Sequence, residues 1–194
     1  MKRQAKWFLI PCAAMALTLG SALVSFAATG WAEENGEWVY YNNDGSKATD
    51  VFKKSGNNWF YLDSDGNMAK NQLIEDDDNY FYVNSAGAMV TNQWRSIEDA
   101  GSDEPDEWWY YFQSNGKAVK KSGSSDNVKF VTLPTSTGQA KFTFDDEGRM
   151  LYGWIDESGE MLTDDDAWKS GMYYCSDNGD GRMATGWTYI TAGN

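Results

Sequence analysis

The sequence contains no histidine. That absence excludes a His-based triad, an imidazole general base and a His-ligated metal. Cysteine is nearly as scarce, with only Cys12 and Cys175, and proline occurs three times in 194 residues. Positive charge is also thin, 16 Lys and Arg against 29 Asp and Glu. In excess are glycine, 19 residues, and aromatics, 15% of the chain. Disordered chains are poor in aromatics, so an ordered protein is expected. Many rings on a hydrophilic chain imply that some of them work at the surface.

Residues 1–27 stand apart in composition. Lys2, Arg3 and Lys6 precede an apolar run from Trp7 to Phe26 that contains no acid, the pattern of a secretory signal peptide. Ser25-Phe26-Ala27 supplies small residues where a signal peptidase reads them, which places the cut after Ala27. An uncleaved membrane anchor is the alternative that the length also fits. A lipoprotein anchor at Cys12 fits poorly, because Pro11 occupies a small-residue position. Cleavage leaves 13 basic against 29 acidic residues, a net charge of −16. Such a chain repels nucleic acid and anionic lipid. It also retains a single cysteine, so no intramolecular disulfide can form and stability must come from packing.

The remaining residues, 28–194, repeat. An aromatic cluster precedes a turn and a glycine as Trp38-Val39-Tyr40-Tyr41 before Asp44-Gly45, Trp59-Phe60-Tyr61-Leu62 before Asp65-Gly66, and Tyr80-Phe81-Tyr82-Val83 before Ala86-Gly87. Further copies are Trp109-Tyr110-Tyr111-Phe112 before Asn115-Gly116, Lys141-Phe142-Thr143-Phe144 before Glu147-Gly148, and Tyr173-Tyr174-Cys175 before Gly179-Asp180-Gly181. Short tails follow, as in Gly66-Asn67-Met68 and Gly181-Arg182-Met183, and several reach a second aromatic, as in Gly153-Trp154 and Gly186-Trp187; Gly30-Trp31 opens the series. The first three glycines are spaced by 21 residues; later spacings widen to 29 and more, with inserts at 95–107, 120–140 and 155–171. Aromatic strands before an Asp-Gly or Asn-Gly turn predict β-hairpins. Six small hairpins cannot each build a core, so they must stack in line as an all-β solenoid.

Alternation along each strand separates the rings, because residues i and i+2 share a face. Val39 and Tyr41, Phe60 and Leu62, Phe81 and Val83, Tyr110 and Phe112, and Phe142 and Phe144 form an apolar face and are assigned to the core. The other face carries Trp38 and Tyr40, Trp59 and Tyr61, Tyr80 and Tyr82, and Trp109 and Tyr111, with Lys141 and Thr143 in the fifth copy. A face that accepts Lys141 and Thr143 is expected to be at least partly wet. Its rings either pack between hairpins or await a ligand.

At these residues the chain resembles the cell-wall-binding repeat family of Gram-positive surface proteins, the choline-binding and glucan-binding repeats. The pattern Tyr173-Tyr174 through Gly181-Arg182-Met183-Ala184-Thr185-Gly186-Trp187 carries the resemblance most fully, and Asp65-Gly66-Asn67-Met68-Ala69-Lys70-Asn71-Gln72-Leu73 matches the family's other common tail. The resemblance implies a left-handed hairpin solenoid, with ligands between successive hairpins in boxes of two or three rings and a methionine nearby. The implied ligand residues are Trp31, Trp38, Tyr40, Trp59, Tyr61, Tyr80, Tyr82, Trp94, Trp109, Tyr111, Trp154, Tyr174 and Trp187. Phe52 and Leu73 stand where the family prefers Trp, and Lys141 and Thr143 remove the fifth ring pair, so two or three competent sites at most are expected. The implied ligand is choline of teichoic acid or a related cell-wall polysaccharide, and the implied place is outside the cell, at the wall.

Other motifs read more plainly. Asp63-Ser64-Asp65-Gly66 and 177–181 start like calcium loops but lack the closing Glu, so they are turns. The acidic runs 75–78 and 164–166 read as solvated loops. Leu133-Pro134-Thr135-Ser136-Thr137-Gly138 resembles a sortase signal with one residue too many and reads as a loop. The repeats occupy 28–194, so no catalytic segment, cofactor or metal is expected. A structural or interaction repeat without a small ligand is the rival reading. After Gly186-Trp187 the chain opens a further unit; that end is expected either to pair with a second copy as an exposed edge or to continue in a longer, autolysin-like protein.

Overall fold

The computed structural model describes residues 29–98, 107–121 and 127–190. The signal segment expected at 1–27 and parts of the stretches 95–107 and 120–140 lie outside the described residues. Within them, thirteen β-strands and a single helical turn form five two-stranded sheets and one three-stranded sheet. Strands β1 (Gly30–Glu34) and β2 (Glu37–Tyr41), β3 (Val51–Ser55) and β4 (Asn58–Leu62), and β5 (Gln72–Asp76) and β6 (Asn79–Val83) are antiparallel pairs. So are β7 (Gln93–Glu98) and β8 (Glu107–Phe112), and β9 (Val131–Thr135) and β10 (Gly138–Phe142). In the last sheet β11 (Gly153–Ile155) lies between β12 (Met161–Leu162) and β13 (Tyr173–Cys175), with the helical turn α1 (Ala167–Ser170) before β13.

The hairpin turns are not the Asp-Gly turns expected from the sequence. The ladders β1–β2, β3–β4, β5–β6 and β9–β10 join consecutive strands through tight turns such as Asn35-Gly36, with φ of 52° and 87°, and Asp77-Asp78, with φ of 47° and 59°. Positive φ at both central residues suits the right-handed twist of paired strands. The preceding strands, VFKKS and QLIED, are short and mixed in polarity, so pairing rather than local pattern defines them. The Asp-Gly turns lie after the aromatic strand and fold the tail back into one isolated bridge each: Tyr41 with Lys47, Leu62 with Met68, Val83 with Met89, Phe112 with Ala118, Phe144 with Met150 and Cys175 with Met183.

Those turns share one chemistry. The Asp63 carboxylate accepts from the amides of Asp65 and Asn67 at 2.9 and 2.8 Å, and Asp145 does the same for Glu147 and Arg149. Asn84 holds Ala86 and Ala88 through its amide oxygen. A further turn of this kind spans 156–159, where the Asp156 carboxylate accepts from the Glu160 amide at 2.9 Å and Gly159 takes a φ of 87°. This turn lies inside the insert expected at 155–171, and its Asp-x-x-Gly-x-Met pattern has the spacing of 145–150.

Successive units are joined by the tails. The Met68 amide donates to the Trp38 carbonyl, Met89 to Trp59, Ala118 to Tyr80, Met150 to Trp109 and Met183 to Lys141, all at 2.7–2.9 Å. Each tail side chain then lies on the turn glycine of the next unit. A Cβ on Gly87 would sit 2.8 Å from Met68 Cε, and one on Gly116 2.5 Å from Met89 Cε. The glycine is therefore required twice, for positive φ and for the methionine resting on it. The methionines fill this gap between units, as their flexible side chains suit.

The core face follows the alternation. Val39, Leu62, Val83, Phe112, Ile155 and Cys175 are fully buried, each apolar side chain contributing about 1.5–3 kcal/mol. Two sequence expectations change. Thr143 is buried, with 2% of its surface exposed, because β10 ends at Phe142 and the alternation stops there; its carbonyl accepts from Leu151. The segment read as a loop around Leu133-Pro134-Thr135 is instead β9 and its turn into β10, with Leu133 buried against Phe142 and Phe144. The stretch 155–171 likewise carries β12 and α1. No helix among the described residues is long and apolar enough to cross a membrane.

Candidate functional site

The strand register sets the outward rings in a repeating pair. Trp31 stands opposite Tyr40, Phe52 opposite Tyr61, Leu73 opposite Tyr82, Trp94 opposite Tyr111, Thr132 opposite Lys141 and Trp154 opposite Tyr174. Directly opposite residues share a face and touch. Where both are aromatic they meet edge to face, with centroids 5.4, 4.9, 5.2 and 5.1 Å apart for Trp31–Tyr40, Phe52–Tyr61, Trp94–Tyr111 and Trp154–Tyr174. An edge-to-face pair does not stack its two ring faces on each other, and an unstacked face is what a cation or a sugar C–H face requires.

The pairs differ in what else touches them. Trp31 also meets Phe60 of the next hairpin at 5.5 Å, and Trp38, Tyr40 and Trp31 pack half-buried around Leu62, Met68 and Ala48. Phe52 meets Phe81 of the next hairpin at 5.0 Å, which joins Tyr61 to the third unit. Tyr80 and Tyr82 are half-buried against Val90, Trp108, Tyr110 and Phe112, and Trp109 against Tyr111, Phe142 and Met150. Trp59 is exposed over 41% of its surface. Phe60 and Phe81 were assigned to the core from alternation; their contact with the neighbouring ring pair depends on how units stack, which alternation within one strand does not encode.

Trp94 and Tyr111 pack against the following hairpin. Phe142 and Phe144 lie 4.7 and 5.9 Å from the Trp94 ring, and its indole N–H donates to the Pro134 carbonyl at 2.8 Å. Tyr111 is buried beneath them. Of the rings expected to hold a ligand, this is the pair against which Phe142 and Phe144 pack. Trp187 lies fully in solvent, outside any strand and with no ring neighbour among the described residues, so it forms no box there. Trp154 and Tyr174 remain half-buried at the three-stranded sheet, where Gly171, just after α1, fits closely against the Trp154 ring.

Acids surround several rings. Burial raises the Tyr61 hydroxyl above the ordinary tyrosine value, and Asp50, Asp76 and Asp63 add to the shift. Tyr80 is raised by burial and then by Glu75, Glu147, Asp146 and Asp145. The field at these rings is negative, which favours a cation over a neutral or anionic ligand. No group of three or more acidic or cysteine side chains among the described residues is arranged to hold a metal ion.

Residues 28–65 and 52–94 match a family model for the choline-binding repeat, and residues 109–118 match one for a cell wall binding repeat. The choline binding domain of Spr1274 from Streptococcus pneumoniae is 35% identical over 47% of this chain and 95% of its own, with a TM-score of 0.36. Choline binding protein F of the same organism is 23% identical over 85% of this chain and 48% of its own, with a TM-score of 0.49. Truncated alternansucrase from Leuconostoc mesenteroides shares 23% identity over 75% of this chain and 12% of its own, with a TM-score of 0.50; that likeness concerns the fold alone. The chain thus spans about half the length of choline binding protein F and a small part of the sucrase. No curated protein matches the chain significantly.

Proposed function

The chain belongs to the choline-binding repeat family, and from that premise we propose that it is a secreted, non-catalytic wall-binding protein that holds choline of teichoic acid between aromatic side chains. The hairpins stack as a solenoid through the tail-to-strand bonds, and export follows from the segment 1–27. The observation that carries the reading is the half-buried ring pair set by the strand register, of which Trp154 and Tyr174 are one with no lysine or arginine over it among the described residues. A trimethylammonium group has no N–H to donate, so ring faces and a negative surround are what can hold it, each face contributing about 0.5–2 kcal/mol.

Titration of the protein with choline, followed by tryptophan fluorescence at constant ionic strength, tests this. Saturable quenching supports it; a response to dextran alone assigns the rings to a glycan, and a response to neither leaves the repeats a structural or interaction scaffold. Retention on an anion exchanger is uninformative, because a chain this acidic binds by charge. The exposed side chains of Trp187 and Tyr189 are also proposed to pair with a second copy, which light scattering reads as a dimer.

A further inference from the structure

Three outward rings already carry a cation of the protein's own. The Lys53 ammonium lies 4.8 Å from the centroid of Tyr40, Lys54 5.9 Å from Trp59 and Lys120 5.7 Å from Tyr80. Two of these are held in place by a second contact. Lys53, on β3 of the second hairpin, donates to the Asn42 side-chain oxygen at 3.1 Å, so the hairpin that carries Tyr40 also anchors the amine above it. Lys120, which follows the fourth hairpin, donates to the Asp78 carbonyl beside Tyr80. Both amines reach from one unit to a ring of another. Acids outnumber bases 29 to 16, yet among the described residues neither amine makes an ion pair with a carboxylate. Ring face and neutral oxygen are their partners.

A lysine ammonium and a trimethylammonium use the same electrostatic attraction to the same ring face. An amine tethered in the next hairpin is present at high effective concentration and competes with any free cation. Among the described residues no Lys or Arg group lies over Trp154 or Tyr174. We propose that Lys53 and Lys120 are specificity-determining residues: built-in cations that fill the ring faces of Tyr40 and Tyr80 and leave rings without such a cation, the Trp154–Tyr174 pair among them, to an external quaternary ammonium. The proposal rests on the choline reading of the outward rings, and it explains why similar outward rings in one chain would bind unequally.

Replacing Lys53 by Gln keeps a polar side chain on β3 and vacates the Tyr40 face. Calorimetric titration of K53Q and the unaltered protein with choline at constant ionic strength reads the result. The proposal expects an additional choline site in K53Q, or overall binding tightened about two- to five-fold, the range of one exposed cation–π contact. K120Q acts on a different hairpin and is expected to give the same gain at Tyr80, so misfolding of one variant leaves the other informative. Isotherms of folded K53Q and K120Q that superimpose on that of the unaltered protein overturn the proposal, whether or not the latter binds choline. Failure of the choline reading is seen separately, as no binding by the unaltered protein.

Discussion

Gly87 shows what a single residue does in this protein. Its φ of +77° is unfavourable for any side chain, and the Met68 terminus rests where a Cβ would stand. Gly87→Ala is therefore expected to destabilise the protein by about 1–3 kcal/mol, combining strain with overpacking; a melting temperature unchanged by the substitution would contradict the packing assigned to the tail methionines. Cys175 is fully buried, and desolvation pushes its thiol up to about 12. A thiol so protonated is a poor nucleophile, so the native protein should resist iodoacetamide at pH 8 and react once unfolded. Acid acts through other residues. The Glu34 carboxyl is lowered by the Tyr41 hydroxyl and then by Lys47, Asp44 by the Ser46 hydroxyl and amide, and Asp156 by the Glu160 amide and the Ser158 hydroxyl. Lowered carboxyls stabilise the fold fully above the ordinary carboxylate range and lose that contribution as pH falls through their lowered values. The melting temperature is expected to hold from pH 7 to about pH 5 and to fall below pH 4, and a melting temperature that rises on acidification would contradict the assignment of these turns.

At the scale of the element, the aromatic strands and the Gly-x-Met tails were legible in the sequence, and their partners were not. Trp38-Val39-Tyr40-Tyr41 announces a strand by its residues, while Val51–Ser55 and Gln72–Asp76 are strands because a neighbour pairs with them. Asp-Gly pairs were the visible turn signal, yet two ladders close at Asp77-Asp78 and Ser136-Thr137, which carry no glycine. Core assignment from alternation held for Val39, Leu62, Val83, Phe112 and Phe142 and failed at Thr143, where the strand had ended, and at Tyr111, which the next hairpin covers. The outward rings were legible as a set; that Phe142 and Phe144 would cover Trp94 depends on contacts across 48 and 50 positions of sequence. One pair of substitutions tests the face assignment. Trp154→Ala is expected to weaken choline binding roughly 2- to 30-fold, the value of a lost ring face, and Lys141→Ala to leave it unchanged, because Lys141 stands exposed opposite Thr132 with no ring beside it. Equal effects in a binding titration would refute the division of faces.

For the whole molecule, the aromatic excess resolves into two populations with different duties. One lines a thin core assembled unit by unit, and the other stands half-exposed in a negative field, some of it under lysines of the same chain. A protein organised in this way has neighbour contacts in place of one large core. Whether a ring pair of this protein accepts a quaternary ammonium is decided by titrating the purified protein with choline chloride against a sodium chloride control of equal ionic strength. Saturable quenching of tryptophan fluorescence by choline, diminished in Trp154→Ala, is the expected result. Quenching by choline no greater than by sodium chloride would contradict it.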